Sequence, residues 1–137
     1  MDDFLMPANL MNKPARLRLL LIGAALALSV GAAHAAGDVK RGSDVFAEQC
    51  AECHSVKEGK NKKGPSLFAS LGRKSAALDG FAYSDAMKAS GIVWSADRLA
   101  AYLEDPKKAV PGGKMKYDGL PDAHAREDLI AYLATLR

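Results

Sequence analysis

The chain has 137 residues, a formal net charge of +3 and 49% hydrophobic residues. This length favours one domain. The small net charge, without lysines interleaved among aromatic residues, argues against a nucleic-acid surface.

Residues 1–35 have the pattern of a cleavable secretion signal. The basic part contains Lys13, Arg16 and Arg18. An uncharged, Leu- and Ala-rich stretch runs from Leu19 to Val30 and is followed by Ala33-His34-Ala35. These small flanking residues fit the signal-peptidase rule, and cleavage there leaves residues 36–137 as the folded domain.

A retained membrane anchor is the alternative, because the segment from Leu19 to Ala36 has no formal charge and reaches the lower length limit for a transmembrane helix. A cleaved signal predicts a periplasmic protein. A retained anchor predicts a domain attached to the inner membrane and facing the periplasm. Both place the folded part outside the cytoplasm.

The first predicted helix runs from Asp38, a suitable N-cap, to about Cys50. Its apolar face, at helical spacing, contains Val39, Gly42, Val45, Phe46 and Gln49. Glycine inside a helix costs about 1 kcal/mol relative to alanine. A close crossing by another helix would explain Gly42.

The motif Cys50-Ala51-Glu52-Cys53-His54 indicates covalent attachment of a haem. Each thiol can add to one vinyl group of the porphyrin, and two intervening residues allow one helical turn to span them. His54 follows at once, and its imidazole is a suitable axial ligand for iron.

Three other interpretations of this motif remain open at the level of residue types. Cys50 and Cys53 are the only cysteines, so they could form a disulfide. A thioredoxin-like redox pair would need a βαβ pattern, which the flanking sequence lacks. A zinc site needs more ligands than the cysteines and His34, His54 and His124 readily supply.

The rest of the chain predicts short helices separated by long loops. The predicted helices extend from Ser84 or Asp85 to Ala89, from Ser95 to Leu103 or Glu104, and from Asp122 to Leu136. Pro106 either ends the second of these or starts a further short turn through Lys108. No segment has a convincing strand pattern, so the class is all-α. Loops this long are uncommon in a small domain unless they are functional, and here they would line a haem crevice.

A second axial ligand for the iron could come from Met87, Met115, His124 or a lysine, or could be absent. Met115 is favoured because it lies in the loop Pro111-Gly112-Gly113-Lys114-Met115. Glycine there lets the backbone approach a flat ligand closely. A methionine that only fills space is the alternative.

The sequence from Gly37 to Arg137 resembles the class I c-type cytochromes, the group of mitochondrial cytochrome c and bacterial cytochrome c2. The stretches that carry the resemblance are Gly37-Asp38-Val39, Cys50 to His54, Gly64-Pro65, Gly72-Arg73-Lys74, Gly91 to Trp94, Tyr102 to Lys108, Pro111 to Met115, and Asp128 to Leu133. The implied fold is the cytochrome c fold, wrapped around one covalent haem c.

The resemblance also implies a role for each matching residue. Cys50 and Cys53 would form the thioethers, and His54 and Met115 would ligate the iron. The carbonyl of Pro65 would accept the second N–H of the axial histidine. Tyr83, Trp94 and Arg73 match residues that bind or neutralise a haem propionate.

Three positions depart from the family pattern. Gly113 stands where threonine is frequent, Met87 where asparagine is common, and Tyr117 where phenylalanine is common. These changes leave the predicted ligands in place.

The predicted function is that of a soluble, monomeric one-electron carrier, not an enzyme. Positive charge from Lys63, Lys108, Lys114 and Lys116, with Lys57 and Lys107 further out, would guide it to acidic patches on larger redox complexes. The implied partners are a cytochrome bc1-type donor and, as acceptor, a terminal oxidase of a respiratory chain, a peroxidase or a photosynthetic reaction centre. A haem peroxidase or gas-binding sensor is the alternative if Met115 is labile.

Overall fold

Helices and long loops form residues 36–137, the part of the chain that the structure, a computed structural model, describes. The helices are α1 (Val39–Gln49), α2 (Asp85–Ala89), α3 (Ala96–Glu104), α4 (Pro106–Ala109) and α5 (Ala123–Ala134). In this range the only strand-like pairing is one isolated bridge between Lys74 and Val93. The predicted all-α class is confirmed.

The predicted signal or anchor, residues 1–35 with His34, lies outside the described residues. Among residues 36–137, no helix combines the length and apolar character needed to cross a membrane.

Most helix starts follow from capping side chains that the sequence already marks. The carboxylate of Asp38 accepts the N–H of Arg41 at 2.7 Å, and Ser95 Oγ accepts the N–H of Arg98 at 3.2 Å. Pro106 begins a separate helix, α4, instead of only ending α3. The prediction that α5 ends at Leu136 is wrong: the helix ends at Ala134, because the N–H of Thr135 bonds Tyr132 O at 3.0 Å and tightens the last turn.

The close crossing of α1 and α5 positions both ends of the domain. A Cβ atom on Gly42 would lie 1.9 Å from the carbonyl oxygen of Asp128 and 2.8 Å from Cβ of Tyr132. Only glycine therefore fits at this crossing. The expectation drawn from Gly42 is confirmed, since the closer helix contact offsets its lower helix propensity.

A buried carboxylate joins the same two helices. Asp128 is only 5% exposed and accepts hydrogen bonds from the N–H of Asp38 at 2.5 Å and from Arg41 Nε at 2.6 Å. The Arg41 guanidinium and the Asp38 N–H hold the pKa of Asp128 below its usual value. The carboxylate is thus kept ionised while it binds the N-cap residue Asp38 and the side chain of Arg41 in the first turn of α1.

The apolar core is small for a domain of this size. Its buried members are Phe46 from α1, Leu103 from α3, and Leu129 and Leu133 from α5. Leu103, Leu129 and Leu133 also face a large cavity. The core therefore closes around a space instead of filling it, as expected for a chain that packs on a cofactor.

We expect Gly42→Ala to lower the free energy of unfolding of the haem-bearing protein by about 1–3 kcal/mol, because the added methyl group overlaps the α5 backbone. Ala47→Gly on the exposed side of α1 is the matched control, and it should cost about 1 kcal/mol through helix propensity alone. Denaturant titration measures both. A stabilised Gly42→Ala variant would contradict the close crossing.

Candidate functional site

A single large cavity of about 660 Å³ runs through the described domain. This volume is within the range of roughly 300–1,000 Å³ that is usual for cofactor sites. The cavity is bordered by every site residue that the sequence predicts: Cys50, Cys53, His54, Pro65, Arg73, Tyr83, Trp94 and Met115. Segments far apart in the sequence thus meet around one space.

The two thiols enter the cavity where α1 ends. The N–H of Cys50 bonds Phe46 O at 2.9 Å, and the N–H of Cys53 and of His54 bond Cys50 O at 3.0 and 2.9 Å. These bonds continue the helix by one tight turn, so both thiols face the same space. Cys50 and Cys53 are not joined by a disulfide, and burial raises the pKa of the Cys50 thiol to about 11.

The ring of His54 is fixed by its backbone neighbours. Its Nδ1 lies 2.8 Å from Pro65 O, an acceptor that selects the tautomer with the proton on Nδ1. A Cβ on Gly64 would lie 2.4 Å from the imidazole, so the chain passes directly against the ring. Burial lowers the pKa of His54 and favours the neutral form, which leaves Nε2 with a lone pair for a metal.

Met115 reaches the cavity from the loop after α4. Gly112 has φ +84°, and the N–H of Gly113 closes a turn onto Val110 O at 2.9 Å. The Lys114 ammonium bonds the carbonyl of Ala82 and ties this loop to the segment before α2. The loop is therefore held by one bond to Val110 at the end of α4 and by another to Ala82 before α2.

The sulfur of Met115 has a polar contact that sequence reasoning missed. Tyr102 Oη lies 3.8 Å from Met115 Sδ. In the sequence, Tyr102 stands out only as the start of the stretch Tyr102 to Lys108. Its phenol is the one available signal, because buried phenols usually have a hydrogen-bond partner.

Of the other candidates for a second ligand, Met87 also lines the cavity and His124 does not. His124 is exposed in the first turn of α5, with Nδ1 3.7 Å from Glu127 Oε2. Its placement excludes it from this site.

Backbone hydrogen bonds bring together Arg73 and Trp94, two of the residues predicted to bind a haem propionate. The N–H of Trp94 bonds Arg73 O at 3.0 Å. Arg73 Nη1 and Nη2 donate to the carbonyls of Phe68 and Ser66 at 2.8 and 2.9 Å, which fixes the guanidinium. Burial raises the pKa of Tyr83, so its phenol stays protonated and can donate.

The six lysines predicted to guide docking have less net positive charge around them than their number suggests. Lys63 pairs with Glu52 at 2.5 Å, and Lys107 pairs with Asp118 at 2.6 Å. Within residues 36–137, the other four members of the group have no acidic side chain within ion-pair distance: Lys57, Lys108, Lys114 and Lys116. These four lysines carry the uncompensated charge of this group.

The alternative metal chemistry has no geometric basis in the described part of the chain. No group of three or more His, Cys, Asp or Glu side chains among residues 36–137 could hold a metal ion. The cavity instead combines two thiols, an oriented imidazole, two thioethers, an apolar wall and a fixed guanidinium. This donor set fits a haem with two vinyl groups and two carboxylates.

Comparison with known proteins agrees with this geometry. The cytochrome c family model matches residues 39–137. Cytochrome c of Gibberella zeae is 51% identical over 100 residues, covering 72% of this chain and 94% of the relative. Cytochrome c2 of Rhodopila globiformis is 48% identical over 101 residues, covering 74% and 95%.

A solved structure shares the fold as well. Cytochrome cH from Methylobacterium extorquens is 44% identical with a TM-score of 0.68, and the match covers 72% of this chain and 99% of that one. The chain therefore belongs to the class I c-type cytochromes, the electron carriers that bind haem c covalently.

Proposed function

We propose that this cytochrome shuttles single electrons between larger redox complexes, with Cys50 and Cys53 as the thioethers and His54 and Met115 as the axial ligands. The observation that carries the proposal is the presence of an oriented imidazole and a held thioether at one cavity. When bound, the haem supplies an iron that gains and loses one electron.

The chain itself keeps the site closed to reactants. The Pro65 carbonyl and the backbone at Gly64 hold His54 in one orientation. Tyr102 and the tied loop at Lys114 keep Met115 in place. If His54 and Met115 both ligate the iron, they would leave no position for peroxide or a gas, which favours outer-sphere transfer over catalysis.

The surrounding side chains favour the reduced state. A thioether is a soft ligand, and the apolar walls from Leu99, Leu103, Leu129 and Leu133 exclude water. Both effects disfavour the extra positive charge of the oxidised iron. We infer a high potential for a haem protein, suited to the terminal part of an electron-transfer chain.

Loss of the thioether tests the ligand assignment. We expect Met115→Ala to abolish the weak long-wavelength iron–sulfur band of the ferric protein and to lower the reduction potential, within the roughly 0.8 V span that axial ligands control. The reduced variant should bind carbon monoxide at neutral pH, whereas the reduced parent should not.

Met87→Leu is the matched control, because it removes the second thioether of the cavity at nearly constant volume. It should retain the iron–sulfur band. Loss of the band in Met87→Leu and not in Met115→Ala would reassign the ligand, and carbon monoxide binding by the parent would favour a sensor or peroxidase.

The proposed partners have acidic docking patches: a cytochrome bc1-type donor and, as acceptor, a terminal oxidase, a peroxidase or a reaction centre. Lys63, Lys114 and Lys116 are exposed residues at the edge of the cavity, and Lys63 pairs with Glu52 between the two thiols. Positive charge at this edge would speed encounter with a negative partner and would be screened by salt.

Small redox probes of opposite charge isolate this effect. We expect hexacyanoferrate(III) to oxidise the reduced protein more slowly as salt rises, and a cationic cobalt complex to do so faster. Lys116→Glu should slow the anionic probe about threefold to tenfold. Lys40→Glu is the control, because Lys40 lies far from the cavity: it is roughly 14 Å along α1 from Gln49, which borders the cavity. Equal effects of the two substitutions would contradict the assignment of this edge.

We also propose export to the periplasm with removal of residues 1–35. The basic segment, the apolar stretch and Ala33-His34-Ala35 support it, as does covalent haem attachment to thiols outside the cytoplasm. The mass of the haem-bearing protein should correspond to a chain that begins at Ala36. A mass that includes residues 1–35, with recovery in the membrane fraction, would favour the anchor.

A further inference from the structure

A buried hydroxyl in the cavity wall has no partner in the chain. Ser70 is 5% exposed and borders the cavity. Among residues 36–137, its Oγ is the only buried side-chain nitrogen or oxygen without a hydrogen bond. Buried hydroxyl groups are nearly always paired, so this atom calls for a partner that the chain does not supply.

The other buried serines show the contrast. Ser66 Oγ donates to Lys57 O at 2.7 Å and accepts the N–H of Phe68 at 3.2 Å. Ser75 Oγ accepts from Ser90 Oγ at 3.0 Å. These hydroxyls are satisfied within the fold, whereas Ser70 Oγ has no hydrogen-bond partner there.

The backbone fixes the position of Ser70. Ala69 has φ +47°, a conformation that non-glycine residues rarely adopt, and its N–H bonds Leu136 O at 2.9 Å. The N–H of Ser70 bonds Leu67 O at 3.2 Å. A strained residue beside these two bonds indicates that the backbone at Ser70 is imposed by the surrounding structure.

Ser70 belongs to the same turn as Arg73. The N–H of Arg73 bonds Ser70 O at 3.2 Å, and the N–H of Gly72 bonds Trp94 O at 2.9 Å. The hydroxyl is thus close in the chain to the fixed guanidinium and to Trp94. No Asp or Glu side chain of this segment borders the cavity; Glu48 and Glu52 border it from the thiol-bearing segment.

The chemistry of the cofactor limits what the hydroxyl can meet. The faces of the macrocycle offer no hydrogen-bonding substituent, and both vinyl groups are used by the thiols. Only the two carboxylates accept hydrogen bonds, and the porphyrin carries them on the side away from the vinyl groups. We propose that Ser70 is a further haem-binding residue, whose Oγ donates a hydrogen bond to the carboxylate that Arg73 and Trp94 adjoin.

This inference rests on the proposed haem site and adds a residue to it. A donor stabilises the ionised carboxylate and makes it a stronger acid. Removing the hydroxyl should weaken that acid by roughly threefold to tenfold. Because a carboxylate charge near the iron favours the oxidised state, its titration appears as a pH-dependent step in the reduction potential.

The test is the pH dependence of the reduction potential of the haem-bearing protein. In Ser70→Ala the step should move to higher pH, and the carboxylate bands of the oxidised-minus-reduced infrared spectrum should shift. Ser70→Thr, which keeps a hydroxyl, should follow the parent. Ser70→Val, in which valine has the shape of threonine but no hydroxyl, should follow Ser70→Ala.

Ser66→Ala is the control, because it removes a buried hydroxyl whose partners lie within the chain. It should lower stability and leave the pH profile and infrared bands unchanged. Superimposable profiles and spectra for Ser70→Ala and the parent, each with haem and an intact iron–sulfur band, would overturn this inference alone. A parent without haem or without that band would instead contradict the proposed function.

Discussion

The close contact between Gly42 on α1 and the backbone of Asp128 on α5 is the constraint on which the rest of this structure depends. Because α1 ends directly before Cys50, the position of α1 determines where both thiols and His54 face. Because α5 supplies Leu129 and Leu133, its position determines the apolar wall that faces them. The carboxylate of Asp128 strengthens the same contact through Arg41 and Asp38, and its lowered pKa shows that the charged form is favoured there.

A second consequence of this crossing is that the domain has a cavity where a self-sufficient protein would have a core. Four large side chains form the buried cluster of residues 36–137, and three of them border the cavity. Apolar burial is the main favourable term in folding, so such a chain gains much of it from the surface of its cofactor. The covalent thioethers make that gain permanent, since the haem cannot dissociate when the loops open.

Much of this arrangement could be predicted from the sequence because its signals are local. Caps such as Asp38, Ser95 and Asp122 mark helix starts by a hydrogen bond within three residues, and the cysteine spacing is set by one turn of backbone. Contacts between distant residues left no such mark. The bond between Tyr102 and Met115, the Asp128–Arg41 pair and the Lys107–Asp118 pair each require the tertiary fold. The same holds for Ser70, whose type alone gives no sign of burial beside a cofactor.

The two methionines of the cavity illustrate why residue type indicates the iron ligand less clearly than the tertiary contacts that hold the residue. Met87 and Met115 both border the space, and a flexible thioether can serve as filler or ligand. Met87 lies within α2, and its sulfur is 3.9 Å from Ser90 Oγ, a contact inside its own helical turn. Met115 lies in a loop that is anchored through Lys114 to Ala82 and meets the Tyr102 hydroxyl. A ligand must hold its position in both oxidation states for electron transfer to be fast, and the long-range anchors of the Met115 loop support our proposal of Met115 for that role. The contacts of Met87 fix only its own helix.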